Sequence, residues 1–436
     1  MIFFSLFLHS ISIQAERKFF DQFIDHEKPE KGTFKQLYLE VLDNVQGQAK
    51  SVILKIGAES PTLKASGVDD FVSVMAKKYN SAVVTLQHRF FGESFPIDDT
   101  KTESLELLTV EQAIEDLAEF RKFYAKNFPI DIPWLLVGGS YPGLLSAYAR
   151  KVHPELFQAA ISSSGVVQAI KNFTDFDLQD SISMGQECAA ISRRTRVQIE
   201  RLLETDEDYV LELFNATSLK TEIDQFQNFV GELFTLALQY NHLNEICGPL
   251  IDAHYQGKDT VVALATYAKG FFASAHGYAE SYSTSWMKFT GTGPKSNSRC
   301  WFWMTCNQLA YWQTYAGRLS LRSQNVTTAS FEDQCARVFD KEMHPDVDAF
   351  NQKYGGLGVQ TTNVYFTTGS QDPWTWACVT EDSGVAPGNY AHTIIGPEMG
   401  HCSDLHSAAS NDAPDLVRTR AHMLHVIQGW LFPTTY

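Results

Sequence analysis

An α/β fold, built on a largely parallel sheet with helices on both faces and a helical block inserted into it, is predicted by three observations. Short apolar runs rich in β-branched residues alternate with helical periodicity up to about residue 170. That rhythm gives way to long amphipathic helical patterns from about 171 to 345. Strand patterns then return at 363 to 369 and 391 to 396 and are followed by a last helix over 414 to 432.

The elements follow in order. Residues 50 to 57 and 81 to 87 read as buried strands, with a helical stretch near 65 to 79 between them. Over 110 to 127, Ala113, Leu117, Phe120 and Tyr124 recur at three-to-four spacing, which predicts a helix with one apolar face. A further strand run, 132 to 139, ends at Gly138-Gly139 and passes through Ser140 into a helix-forming stretch; 157 to 163 then reads as another buried strand. Repeated strand, helix, strand order implies parallel strands covered on both sides. The insertion is predicted to hold helices over 222 to 243 and 300 to 317. A sheet interrupted in this way and then completed is the plan of an α/β-hydrolase with an inserted cap. The expected division is a catalytic domain of 16 to 170 and 346 to 436, and a cap of 171 to 345.

Residues 1 to 15 are rich in Phe, Leu and Ile and end at Ala15, before Glu16-Arg17-Lys18, which predicts a cleaved secretory signal. No later run reaches the roughly 18 apolar residues a spanning helix needs, so no membrane anchor is expected. The net charge of -16, from 35 basic and 51 acidic residues, would repel nucleic acid and anionic membranes. Asn172, Asn215 and Asn325 begin glycosylation sequons. Seven cysteines at wide spacings suit disulfides better than a zinc site.

The strand-to-helix turn at Ser140 has the form of a nucleophile elbow, in which a tight turn lifts a serine hydroxyl clear of the sheet. The usual pattern is Gly-x-Ser-x-Gly. Here Gly138 stands two before Ser140, but Pro142 stands two after it and Gly143 comes one place late. This fold then requires an acid and a base downstream, in that order, in loops after late strands. Asp372 follows the strand at 363 to 369, and His401 follows the strand at 391 to 396. In this assignment His401 takes and returns the Ser140 proton while Asp372 holds the imidazole. Oxyanion donors are expected from the backbone of Tyr141 and from the loop after 50 to 57, at Gly57, Ala58 or Glu59. Trp374, two past Asp372, is expected to wall the same cleft with a flat apolar face suited to a proline ring. His88 is read as structural, with Arg89 and Glu93 forming an ion pair beneath the site. Asp404 is read as a turn cap. The His401, Cys402, Asp404 and His406 spacing matches no metal-ligand pattern, so neither metal nor cofactor is expected.

The set His88-Arg89-Phe90-Phe91-Gly92-Glu93-Ser94, Gly138 to Gly143, Asp372-Pro373-Trp374 and Gly400-His401-Cys402 resembles the family of lysosomal Pro-X carboxypeptidase, dipeptidyl peptidase II and thymus-specific serine protease. Phe20 to His26 and Trp303 to Cys306 are similar too, so the resemblance runs from about residue 19 to near the C-terminus. It implies a serine exopeptidase that often cleaves after proline in a lysosome-like or extracellular setting, with a peptide as partner and a homodimer as an allowed assembly. It carries the triad onto Ser140, Asp372 and His401, and pocket positions onto Trp374, Leu144 and Tyr311, with Glu59 beside them. It also implies a Cys306–Cys335 disulfide; apart from the resemblance, Cys188 is expected to pair with Cys247 and Cys378 with Cys402. The chain departs from the pattern at Asn307-Gln308, where the family has Thr-Glu, and at Cys402, where the Pro-X type has a second histidine. Gln308 thus replaces a carboxylate expected near the cleft, and which peptide terminus is read stays open at this stage. So do two other functions on the same scaffold, a carboxylester hydrolase and a non-catalytic binding protein, although an intact triad argues against the second.

Overall fold

The computed structural model describes residues 15 to 68, 70 to 271 and 279 to 433, so the expected signal segment lies, Ala15 aside, outside the described residues. Eight strands form one sheet: β1 (Glu16–Phe23), β2 (Thr33–Val41), β3 (Ser51–Ile56), β4 (Ser81–Leu86), β5 (Trp134–Gly139), β6 (Ala159–Ser163), β7 (Val364–Gly369) and β8 (Tyr390–Ile394). Their order across the sheet is β1-β2-β4-β3-β5-β6-β7-β8. From β4 to β8 every pairing is parallel, as expected. At the other edge β2 runs antiparallel to both β1 and β4. The sequence reading missed this hairpin because β1 is an edge strand whose Glu16, Arg17 and Phe19 stay open to solvent, which erases a buried-strand signal.

Side-chain alternation gives the central strands two buried faces. On one, Ile53, Val83, Leu135, Val137 and Ile161 pack against Met75 and Tyr79 of the helix Phe71–Tyr79 and Met423 and Ile427 of the helix Pro414–Leu431. The opposite face sets Leu54, Val84, Leu136 and Ala160 against Leu117 and Phe120 of the helix Val110–Tyr124 and Leu145 and Tyr148 of the helix Tyr141–Val152. The first of these helices starts at residue 71 rather than 65, because the Asp70 side chain accepts the Ser73 N–H and sets its N-cap.

Among the described residues, those between β6 and β7 hold helices and turns but no named strand. Met184 to Ala268 build a core of their own, centred on Phe226, Leu233 and Phe234, whereas Cys300, Trp303, Cys306 and Val338 join the core beneath the helix Tyr141–Val152. The expected helix over 300 to 317 stops early: Ser296–Met304 is α-helical and Thr305–Leu309 widens into a π-turn. Ala310 and Tyr311 then take positive φ values of 54° and 57°. The chain leaves the helix there because Ala310 forms a bridge with Ile170, and the Tyr311 N–H donates to the Ile170 carbonyl at 2.9 Å.

Disulfides join Cys188 to Cys247 and Cys306 to Cys335. The third expected pair does not form, and Cys378 and Cys402 remain thiols. They face different backbone carbonyls: the Cys378 thiol donates to Trp374 at 3.3 Å and the Cys402 thiol to Ser163 at 3.5 Å. No described helix is long and apolar enough to cross a membrane.

Arg89 is fully buried and does not pair with Glu93, which reaches Arg17 instead. Its guanidinium lies on Asp116, with Nε donating to Oδ2 at 2.7 Å, and it also donates to the Phe23, Ile24 and Leu107 carbonyls. One cation thereby fastens the end of β1 to the helix Val110–Tyr124. Arg89→Met should lower the unfolding free energy by about 3 kcal/mol, because the buried Asp116 loses its guanidinium and keeps only His26, at 2.8 Å, and Gln36 beside it. A urea midpoint measures this, and adding Asp116→Leu should recover a good part of the loss.

Candidate active site

The turn at Ser140 is held open by what two glycines lack. Ser140 itself sits at φ 66° and ψ -132°, a conformation costly for a residue with a side chain. A Cβ on Gly138 would lie 1.9 Å from the Pro142 carbonyl oxygen, so only glycine lets the first turn of the helix fold back onto β5. A Cβ on Gly143 would come within 2.7 Å of the Gly165 Cα, where the helix passes the chain after β6. This explains the displaced glycine of the motif: the close approach falls at 143, and Pro142 fits the first helical turn because no N–H is needed there. The Ser140 N–H donates to the Ser163 carbonyl at 2.9 Å and so continues the β5–β6 ladder into the turn.

Asp372 lies just past β7 and is fully buried. Its Oδ1 accepts the Trp374 N–H at 3.0 Å, which makes it the cap of the short helix Pro373–Ala377. Both carboxylate oxygens face His401 Nδ1, at 3.0 and 2.9 Å. The other ring nitrogen, Nε2, is buried and has no hydrogen-bond partner. Burial works against a charged imidazole here, but the Asp372 carboxylate outweighs it and raises the His401 pKa well above the usual value.

The loop carrying His401 is held from two sides. The His401 N–H donates to the Gln239 carbonyl at 3.0 Å and the Gly400 N–H to Asn241 Oδ1 at 2.9 Å, both at the end of the helix Ile223–Gln239 in the insertion. From the sheet side Asp404 accepts from the Ser163 and Thr367 hydroxyls. Its carboxylate therefore ties the loop to β6 and β7 rather than capping a turn. Arg420 of the last helix donates to the Ser403, Asp404 and His406 carbonyls at 3.0, 2.9 and 2.8 Å. His88 bonds Tyr141 Oη through Nε2 at 3.1 Å, and burial pushes its pKa down to about 4, which suits a neutral structural ring.

Ser140, Glu59, Tyr311 and Trp374 line one cleft of about 460 Å³, together with Asn297 and Trp301 from the helix Ser296–Met304. The Trp374 ring stands 4.8 Å from Phe176, 5.5 Å from Tyr311 and 6.2 Å from His401, centre to centre, and its Nε1 donates to Gln239 Oε1 at 3.1 Å. Two expected pocket residues lie elsewhere. Leu144 is fully buried in the core under its helix. Gln308 turns to the start of the helix Val110–Tyr124, accepting the Val110 N–H at 2.9 Å and donating to Glu111 at 2.8 Å. The N–H of Tyr141, first residue of its helix, has no role in the helical ladder. That of Gly57 is taken by the Leu86 carbonyl at 2.8 Å, which leaves Ala58 and Glu59 as candidates for a second donor. Among the described residues no group of His, Cys, Asp and Glu is arranged to hold a metal ion. Asn297, Trp301 and Gln239 went unrecognised in the sequence because nothing separates a cleft-facing position from a packed one in an amphipathic helix.

Residues 20–423 match the family described as serine carboxypeptidase S28. The chain is also 33% identical to the probable serine protease EDA2 of Arabidopsis thaliana, over 94% of this chain and 88% of that one. The chain belongs to the serine carboxypeptidase S28 family. As an S28 member it is a serine-type peptidase on the α/β-hydrolase fold with a helical cap. It is also similar to the thymus-specific serine protease of Mus musculus, at 27% identity over 92% of this chain and 84% of the other. With the lysosomal Pro-X carboxypeptidase of Bos taurus it shares 22% identity over 97% and 89%.

A histidine whose pKa is raised by folding stabilises the fold below about pH 6.5, and that contribution is lost as pH rises through the folded-state value. Asp372→Asn should bring the His401 titration down, because the carboxylate that opposes the effect of burial is lost and only Cys402 remains to act against it. Histidine-ring NMR over a pH series measures the change.

Proposed function

We propose that the chain is a serine exopeptidase that hydrolyses short peptides next to proline through an acyl-enzyme. The observation that carries this reading is the Asp372–His401 pair at 2.9 Å, on the same sheet edge as the Ser140 elbow, with the Trp374 ring that lines the cleft 6.2 Å from the imidazole. The Ser140 hydroxyl attacks the scissile carbonyl carbon while His401 Nε2 takes its proton. Negative charge then develops on the carbonyl oxygen, and the Tyr141 N–H with one from Ala58 or Glu59 stabilises it. The C–N bond breaks as His401 gives the proton to the leaving amine, and water attacks the ester by the same steps in reverse. Asp372 holds the imidazole tautomer and balances its charge throughout.

The helical insertion forms one wall of the cleft, which supports action at chain ends rather than within folded substrates. Trp374 and Tyr311 line the cleft with their rings edge to face, and Phe176 packs behind the indole, which leaves an apolar surface suited to a proline ring. Two disulfides and the exposed sequon residues Asn172, Asn215 and Asn325 support a secretory-pathway protein.

Ser140→Ala should lower the catalytic rate by roughly 10⁶ and abolish labelling by a fluorophosphonate probe; a variant that keeps its rate removes Ser140 from the mechanism. Trp374→Ala should narrow the kcat/KM ratio between proline and alanine substrates by about tenfold or more. Unchanged selectivity would reduce Trp374 to a packing residue.

A further inference from the structure

We infer that the cleft reads the free N-terminal ammonium of its peptide, through Glu59 and Asn297, so that the enzyme works from the amino end of the substrate. This rests on the peptidase reading above and fixes its direction. Both side chains line the cleft that contains Ser140. Each carries an acceptor with no donor: Oε2 of Glu59 and Oδ1 of Asn297 are shielded from solvent and make no hydrogen bond. The amide orientation of Asn297 is not free to reverse, because its Nδ2 donates to the Glu59 carbonyl at 3.0 Å. That bond also makes the two residues neighbours, so two unsatisfied oxygens belong to one corner of the cleft. An acceptor left without a donor and out of reach of water is unfavourable by about 1–3 kcal/mol. A primary ammonium carries three donors and a positive charge, and meets both needs at once.

The charge around the cleft points the same way. Its described lining holds two carboxylates, Glu59 and Glu232, and no Lys, Arg or His. Glu232 is already paired with Arg322, whose guanidinium also donates to Asn228 at 2.9 Å and Thr235 at 3.0 Å. Glu59 is therefore the lining carboxylate without an ion pair, with His401 acting on it only through space, and no Lys or Arg of the described lining is placed to meet a C-terminal carboxylate. Burial raises the Glu59 pKa, a shift that an ammonium beside it would reverse. Glu59 also adjoins Ala58 in the loop after β3, which keeps the ammonium close to the reacting carbonyl and limits the length of chain that fits between them.

The test uses a mixture of short proline-containing peptides with each end free or blocked, read by mass spectrometry, and a matched pair of fluorogenic proline substrates with free and acetylated N-termini. N-terminal acetylation should lower kcat/KM by at least about 30-fold, the scale of losing one partner of a shielded charge pair. C-terminal amidation should leave cleavage in place. Glu59→Gln should raise KM for the free-amine substrate and collapse the free-to-acetylated ratio toward one, Glu59→Asp should restore part of it, and Asn297→Leu should have a smaller effect of the same kind. Equal cleavage of acetylated and free substrates overturns the inference alone, as does a ratio unmoved by Glu59→Gln. Cleavage abolished by C-terminal amidation reverses the direction. If no peptide in the mixture is cleaved by an enzyme that still reacts with the fluorophosphonate, the peptidase reading falls and the inference with it.

Discussion

The close contact between the Gly138 position and the Pro142 carbonyl is the constraint on which the site depends. It lets a strand turn into a helix without an intervening loop, and so places Ser140 at the edge of the sheet with its backbone in a conformation that a looser turn would abandon. The neighbouring strands supply the rest of the frame. β6 accepts the Ser140 N–H through Ser163, while β7 ends three residues before Asp372, with the loop of His401 tied to both strands. Three side chains far apart in sequence are thus referred to three adjacent strands, whose spacing the hydrogen-bond ladder fixes.

The helical insertion is built into this frame rather than resting on it. Its outer helices share a core of their own, but the stretch from Cys300 to Val338 packs with the sheet's helices, and the Cys306–Cys335 bridge closes that stretch on itself. The cleft is consequently lined both from the sheet side and from the insertion. Ser140 and Trp374 come from the sheet side, and Asn297, Trp301, Tyr311 and Gln239 from the insertion.

Much of this was legible from residue order alone. The parallel strands stood out because burial on both faces leaves continuous apolar runs, and Ser140, Asp372 and His401 stood out because the fold assigns them a chain order. The β1–β2 hairpin was hidden by its exposed edge, and the break at Ala310 by a bridge to Ile170 that no local pattern announces. Arg89 was recognised as structural but given the wrong partner: Asp116 lies 27 residues away on a helix, and only the packed structure puts it closer than Glu93. Leu144 and Gln308 were placed in the pocket by resemblance, yet one faces the core and the other caps a helix. Side-chain direction depends on the neighbours of a helix, which sequence spacing does not supply.

The anchoring of His401 to the end of the helix Ile223–Gln239 has a mechanical consequence. Asn241 holds the backbone before the histidine, the Gln239 carbonyl holds the histidine itself, and the Gln239 side chain holds Trp374. A shift of that helix would carry the imidazole and the indole with it. The width of the cleft and the placing of the imidazole are therefore set by the same helix end.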